Sequence, residues 1–281
     1  MLKQTSATLL LLSSLTAFGN TATQSQSPMT IQDLLKNTSA SFTGYMINKL
    51  ENADESVSDY SARIESTLGY KVNSKHKLYL DLAYDFDLDE PENNALDDSL
   101  ITYKYYPGEI ATSTGKVSFQ IRSKSTLPTA KENRSNSSIQ FSQAVEGRSY
   151  VYFDKISKYM PTVLLGVGYK KNFHEYKTTT AGESNISRSL YSFADVSVDL
   201  TEKLSIGTYL KLTNPTTYNG NTQTTKTLTY SYIGYSITDK VSAEIAFLNA
   251  DDLLSADKTE TELEYFKKED AILFMSLSMS L

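Results

Sequence analysis

The sequence has no cysteine, no tryptophan and only two histidines. Without cysteine there is no disulfide framework, no thiolate nucleophile and no zinc–cysteine site. The formal net charge of −6 argues against a nucleic-acid-binding protein, which normally carries a basic stripe. After the N-terminal residues, no run is long and apolar enough for a transmembrane helix. The sequence also has no P-loop and no dinucleotide fingerprint, and it predicts no cofactor.

The N-terminal residues have the features of a secretory signal peptide. Lys3 is followed by an apolar stretch from Ala7 to Phe18, and small residues flank the end of this stretch. The alternative is an N-terminal membrane anchor, but the stretch is shorter than the span of about 20 residues that a helix needs. We therefore predict a cleaved signal peptide over 1–22 and an exported protein.

Strict alternation of apolar and polar residues marks the stretch KLYLDLAYDFDLD, residues 77–89. A period of two places successive side chains on opposite faces of a β-strand. One parity is apolar, with Leu78, Leu80, Leu82, Tyr84, Phe86 and Leu88. The other parity carries Lys77, Asp81, Asp85 and Asp87. This pattern predicts a strand that separates an apolar environment from an aqueous one.

Twelve such strands are predicted along the chain, which makes the fold class all-β. Twenty tyrosines and many β-branched residues favour strands. The predicted strands span 39–51, 57–72, 77–88, 99–107, 115–124, 137–153, 161–171, 188–200, 204–213, 226–237, 241–249 and 271–281. The stretch 226–237 has tyrosine on one parity and isoleucine on the other around Ile233, so its facing stays open.

Short turns and long connections alternate along the chain. Short turns are predicted at 73–76, 107–109, 154–161, 201–203 and 238–240. Longer connections are predicted at 89–98, 125–136, 172–187, 214–225 and 250–270. In an up-and-down barrel this alternation gathers the short turns at one end and the long loops at the other. An even number of strands also places both termini at the same end.

The last eleven residues, AILFMSLSMSL, alternate once more between two faces. This closing strand, the alternating turn lengths and the aromatic residues near strand ends resemble the bacterial outer-membrane β-barrel superfamily, which includes porins. The resemblance covers residues 39–281 as architecture and reaches no specific family. The soluble alternative is a periplasmic β-sandwich or lipocalin-like fold. Its strands average about 5–6 residues, whereas many here reach ten or more.

The resemblance implies an up-and-down antiparallel transmembrane β-barrel of about 12 strands in the outer membrane of a Gram-negative bacterium. Both termini would be periplasmic. Residues 23–38 would form a polar periplasmic segment with a short helix from Thr30 to Lys36. The implied partners are outer-membrane lipid, lipopolysaccharide, small polar solutes and the barrel-assembly machinery, which reads the C-terminal strand.

The charged parity of such a barrel faces a lumen, because a lipid-facing Lys or Arg costs about 2–4 kcal/mol at the midplane. The predicted lumen-lining residues are Lys77, Asp81, Asp85, Lys104, Arg122, Glu146, Arg148, Lys170, Asp195, Lys211 and Glu244. The predicted lipid-facing residues include Leu80, Ile121, Leu165, Leu210 and Ile245. The lumen charges are close to balance. The sequence therefore predicts a porin-like channel for small polar solutes or ions, and no enzyme.

Two other functions fit the same sequence. The acidic connections 89–98 and 250–270 could make the barrel a structural or surface-interaction protein. His174 could act in an outer-membrane hydrolase if it paired with an acidic or serine side chain. Asp85, Asp87 and Asp89 have the spacing of a calcium loop, but the glycine and glutamate that such a loop needs are missing, so we predict no metal site.

Overall fold

The structure, a computed structural model, describes residues 36–49, 60–88, 93–130, 135, 138–155, 159, 161–253 and 271–281. The predicted signal peptide over 1–22 lies outside these residues, as does the predicted helix except for Lys36. Most of the acidic connection 250–270 also lies outside them. In the described part of the chain, no helix is long and apolar enough to cross a membrane.

The described chain folds into twelve long strands and one strand of two residues. They are β1 (Thr38–Lys49), β2 (Tyr60–Lys71), β3 (His76–Asp87), β4 (Ala95–Leu96), β5 (Ser99–Ala111), β6 (Lys116–Leu127), β7 (Ile139–Tyr152), β8 (Thr162–His174), β9 (Ile186–Asp199), β10 (Leu204–Thr217), β11 (Lys226–Thr238), β12 (Val241–Asp252) and β13 (Ala271–Ser280). The long strands match the twelve predicted ones to within a few residues at most ends.

The sheet closes on itself as an up-and-down barrel. Each long strand pairs antiparallel with the long strands before and after it in sequence. Closure comes from β1, which pairs with β2 on one side and with β13 on the other, from Ser41↔Ser280 to Lys49↔Ile272. Every long strand therefore has two paired neighbours, which satisfies the backbone groups that an open edge would leave unpaired. The predicted closed antiparallel barrel of twelve strands is confirmed.

Connection lengths alternate around the barrel as predicted. The end that holds Thr38 and Leu281 carries the connections 72–75, 112–115, 153–161, 200–203 and 239–240. The opposite end carries the connections 50–59, 88–98, 128–138, 175–185, 218–225 and 253–270. Four of these are shorter than predicted, because β6, β8, β10 and β12 continue to Leu127, His174, Thr217 and Asp252. At the end of β10, Asn214, Thr216 and Thr217 put polar residues on both parities, so alternation gives no signal although the backbone ladder continues.

The turn predicted at 107–109 is wrong, because these residues lie inside β5. The register with β6 shifts between Tyr105 and Gly108, which places an extra residue in β5 as a bulge. Pro107 has no N–H to give to a ladder, and a bulge is a place in a sheet that tolerates this loss. The actual turn follows at 112–115, where the amide of Thr112 donates to the carbonyl of Gly115 over 2.8 Å.

Strand register sorts the side chains onto two faces, because antiparallel partners lie on the same side of a sheet. The apolar face carries many hydrophobic side chains that are at least 45 % exposed, among them Ile64, Leu68, Ile121, Val145, Leu165, Val167, Leu190, Ile233, Ile245, Met275 and Leu277. The opposite surface is called the polar face below. The register also resolves the facing of β11. Ile233 pairs with Ile206 and Ile245 on the apolar face, while Tyr230 and Tyr232 lie on the polar face.

Candidate functional site

The charged residues singled out from the sequence share the polar face. Register connects four of them in a row, through the pairs Lys77↔Lys104, Lys104↔Arg122 and Arg122↔Glu146. The register places the other seven on the same face, namely Asp81, Asp85, Arg148, Lys170, Asp195, Lys211 and Glu244. The residues predicted to face lipid, Leu80, Ile121, Leu165, Leu210 and Ile245, lie on the apolar face.

Glu146 on β7 is the centre of one cluster on the polar face. The residue is only 3 % exposed. Its Oε1 lies 2.6 Å from Lys124 Nζ, and its Oε2 lies 2.8 Å from Arg148 Nη2. The Tyr191 hydroxyl also donates to Oε1, over 3.0 Å. Two cations and a hydroxyl compensate the buried carboxylate, as a buried charge requires, and the cluster keeps a net positive charge.

Two glycines on β8 make room for this arrangement. Gly168 is paired with both Glu146 and Tyr191, so it lies directly between them. A Cβ atom at Gly168 would lie 2.3 Å from Tyr191 Cζ, and one at Gly166 would lie 2.1 Å from Phe193 Cζ. The rings of Tyr191 and Phe193 therefore lie over bare backbone. This is how the tyrosine on β9 reaches the carboxylate on β7.

Arg63 on β2 is the centre of a second cluster with the opposite charge balance. The guanidinium lies 2.7 Å from Glu65 Oε1, 3.1 Å from Asp85 Oδ1 and 2.6 Å from Asp97 Oδ2. Tyr45 on β1 donates its hydroxyl proton to Glu65 over 3.1 Å. Asp97 belongs to the connection between β3 and β5, so this cluster ties that connection to the polar face.

Five of the six cations predicted to line the lumen form no ion pair with a carboxylate among the described residues. We call them the cationic set: Lys77, Lys104, Arg122, Lys170 and Lys211. Three lysines of the cationic set lie over the faces of tyrosine rings. The distances from Nζ to the ring centroid are 3.9 Å for Lys104 over Tyr79, 4.8 Å for Lys211 over Tyr191 and 5.2 Å for Lys77 over Tyr106.

Arg122 is held by neutral oxygens. It donates to Gln120 Oε1 and, over 3.1 Å, to the Tyr150 hydroxyl. The fifth cation, Lys170, lies within electrostatic range of Asp98 and Lys124. Neutral partners thus position Arg122 and the three lysines beside aromatic rings without cancelling their charge.

The predicted acidic residues of the polar face have partners of several kinds. Asp85 belongs to the Arg63 cluster. Asp81 accepts a hydrogen bond of 2.6 Å from the Thr67 hydroxyl, and Glu244 accepts one from the Tyr230 hydroxyl. Asp195 has neither a side-chain hydrogen bond nor an ion pair within the part of the chain that the structure describes.

Sequence reasoning missed Lys124 and Tyr191, both of which contact Glu146. Lys124 follows Arg122 by two residues in the segment IRSKS and so shares its face. The predicted strand 115–124 includes Lys124, so parity alone could have placed it beside Arg122. Tyr191 was not detectable in the same way, because its contact with Glu146 depends on register across β8 and on the absence of a side chain at Gly168.

Among the described residues, His174 has no Ser, Asp or Glu partner of a catalytic pair. Its Nδ1 lies 3.3 Å from the Tyr218 hydroxyl, and the two rings meet edge to face with centroids 5.5 Å apart. Two of the three aspartates with calcium-loop spacing have other partners, since Asp85 pairs with Arg63 and Asp87 accepts a hydrogen bond from Asn93. Asp89 lies outside the described residues. Within the described ranges, no group of three or more His, Cys, Asp or Glu residues could hold a metal ion.

No family model matches the chain, and no curated protein matches its sequence. Solved structures do match its fold. An outer-membrane channel from Pseudomonas putida F1 has a TM-score of 0.57 and 10 % identity, over 87 % of this chain and 95 % of that one. A NanC porin has a TM-score of 0.56 and 8 % identity, over 86 % of this chain and 100 % of that one. At such identities the likeness is one of fold, and it agrees with the barrel architecture expected from the sequence.

Proposed function

We propose that the chain is an outer-membrane β-barrel that acts as a channel for small polar solutes or ions. The observation that carries this proposal is the division of the closed barrel into two faces. A single closed sheet has an outer surface and an inner one. The apolar face carries broadly exposed aliphatic side chains, among them Val167 at 62 % and Leu190 at 60 %. So wide an apolar surface is unfavourable in water and suits lipid.

We assign the polar face to the lumen, and its buried polar residues support this. Glu146 is 3 % exposed and Gln120 is 4 % exposed. Because a barrel made of one sheet can bury side chains only on its inner side, these two residues belong to that side. The eleven charged residues predicted to line the lumen would then form its wall. A barrel of eight strands is filled by its side chains and one of 16–18 strands holds a wide channel. Twelve strands suit a narrow path in which wall charges act at close range.

The placement of the connections supports an orientation. The short connections and both ends of the barrel chain, Thr38 and Leu281, lie at one end, which we assign to the periplasm. Lipid and lipopolysaccharide would surround the apolar face, and the assembly machinery would read β13. Epitope tags inserted at 218–225 should be accessible on intact cells, while tags at 201–203 should need permeabilisation. The reverse pattern would contradict the orientation.

Single-channel recording tests the proposed function. The purified barrel, refolded and added to a planar lipid bilayer in 1 M KCl, should insert and produce discrete conductance steps. A boiled sample from the same preparation is the matched control. Proteoliposomes should also swell in small polar solutes. A folded barrel that gives neither conductance steps nor swelling would contradict the proposed channel function. A surface-interaction role through the acidic connections would then be the better explanation.

A further inference from the structure

We propose that the path selects small organic anions, with their carboxylates bound along the wall formed by β5, β6, β7 and β8 and by Lys211 of β10. This inference rests on the proposed function and names its substrate class. The sequence alone shows near balance of the lumen charges. The structure separates the charges into those already compensated by an opposite charge and those that are not.

Within the wall of β5 to β8 the predicted acidic residue is occupied, whereas Asp81, Asp195 and Glu244 have no ion pair among the described residues and lie outside this wall, on β3, β9 and β12. Glu146 is shared by Lys124 and Arg148, and Glu65 and Asp85 bind Arg63. Four members of the cationic set, in contrast, contact aromatic rings, an amide oxygen and a tyrosine hydroxyl. A mobile anion is therefore the partner that this part of the wall lacks.

The uncompensated cations are also close to one another. Lys104 lies within electrostatic range of Lys77, Arg122 and Arg148, with Asp81 as its acidic neighbour. Lys211 lies within range of Lys124, Lys170 and Arg148, with Glu146 as its acidic neighbour. Like charges at short range repel one another, so an anion that enters between them is strongly favoured.

The barrel order places a different surface opposite this wall. Among twelve long strands, β11, β12, β13 and β1 lie across the barrel from β5, β6, β7 and β8. Aromatic rings cluster there. The centroid of Tyr230 lies 5.3 Å from that of Phe274 and 5.5 Å from that of Tyr232, and Tyr45 lies 6.0 Å from Phe274. Aromatic faces pack against carbon skeletons, which points to an organic body rather than a bare inorganic anion.

The solute class follows from the two walls together. A carboxylate would meet the guanidinium of Arg122 and the ammonium groups of Lys170 and Lys211. The carbon skeleton of the same molecule would face the tyrosine-rich wall. Benzoate has both parts in a small molecule, and it is the probe for the test. Benzyl alcohol, which lacks the charge, and chloride, which lacks the skeleton, are its two controls.

The test combines selectivity with block in planar bilayers. Under a KCl gradient, the wild-type channel should show a reversal potential of anion-selective sign at 0.1 M, and the effect should shrink at 1 M salt because the Debye length falls from about 10 Å to about 3 Å. Benzoate should reduce the chloride current, and benzyl alcohol at the same concentration should not.

The decisive variant replaces Arg122, Lys170 and Lys211 together by glutamine. Its anion-to-cation permeability ratio should fall by roughly threefold or more, and benzoate block should be lost. The matched control replaces Lys177, Lys203 and Lys240, exposed residues in or beside the connections, and should behave as wild type. The single variants K170Q and K211Q should give smaller shifts in the same direction if the triple variant does not fold.

The outcomes separate this inference from the proposed function. A wild-type channel that conducts without anion preference would overturn the inference and leave the channel intact. Anion selectivity with equal block by benzoate and benzyl alcohol would overturn the organic-anion class. A folded barrel without conductance would overturn the channel itself, and this inference with it.

Discussion

Tyr191 on β9 donates a hydrogen bond of 3.0 Å to Glu146 on β7, across the full width of β8. Neighbouring strands in a sheet lie about 4.8 Å apart, so this bond joins residues two strands apart. Gly168 allows the contact because it presents no side chain between them. Three strands are thereby coupled at a single point of the polar face.

Replacement of Gly168 by alanine should break this contact. The new Cβ would lie 2.3 Å from Tyr191 Cζ, so the ring must move away from Glu146. We expect the free energy of unfolding in urea to fall by about 1–3 kcal/mol, the usual cost of overpacking. The matched control is G147A on β7, where a Cβ would have no atom within 4 Å. Equal stability of the two variants would show that Tyr191 does not depend on Gly168.

Replacement of Glu146 by glutamine should destabilise the barrel, because Lys124 and Arg148 would lose the carboxylate they share. Removal of one partner from a buried ion pair costs about 3 kcal/mol or more, which urea unfolding would detect. In bilayers the anion preference should also rise, since one negative charge leaves the wall. The control is E109Q, because Glu109 is 62 % exposed and its pair with Lys116 spans 3.5 Å, so little change is expected. A stable E146Q barrel would contradict the compensation argument.

Arg63 should control the order of the connection between β3 and β5. The variant R63Q would release Asp97, whose Oδ2 lies 2.6 Å from the guanidinium. We expect amide hydrogen exchange over 95–98 to accelerate by roughly tenfold, as a local opening would produce. The control K71Q also removes a charge from β2, but Lys71 has no ion pair within the described ranges. If both variants exchange alike, the ion cluster does not anchor this connection.

The absence of cysteine allows a direct test of the two faces. Single cysteines placed at Asp81, Arg122, Lys170, Lys211 and Glu244 should react with a water-soluble maleimide in intact membranes. Cysteines at Leu80, Ile121, Leu165, Leu210 and Ile245 should not react until detergent is added. Labelling of the second group without the first would reverse the assignment of the lumen.

Alternation predicted the barrel well because a period of two is a local property of the chain. The stretch 77–88 illustrates this, since β3 spans His76–Asp87. Prediction failed where structure depends on a neighbour. The bulge near Pro107 is a matter of register with β6, so a proline and a glycine were mistaken for a turn. The end of β10 at Thr217 was also missed, because its last residues do not alternate between apolar and polar side chains.

The candidate site was predictable to a smaller extent. Parity alone placed all eleven charged residues on a common face, and their assignment to a lumen stays a prediction. Parity could not reveal which charges are compensated. Arg63 meets Asp97 and Lys124 meets Glu146 only after the strands are in register. Which charges are compensated therefore depends on the tertiary structure, and the proposed selectivity depends on it in turn.

Closure by β1 and β13 has a consequence for how the molecule forms. The hydroxyl oxygens of Thr43 and Ser278 are 2.9 Å apart and share a hydrogen bond, although the two residues are 235 positions apart in the sequence. The seam between the first and last strands is thus the contact of longest range in the sheet, and it can be made only after almost the whole chain has been synthesised. Until then both outer strands present unpaired backbone groups, which are prone to aggregation. Pairing of β1 with β13 removes both strand edges in one step. Until that step, the unpaired edges must be kept from pairing with other chains during assembly.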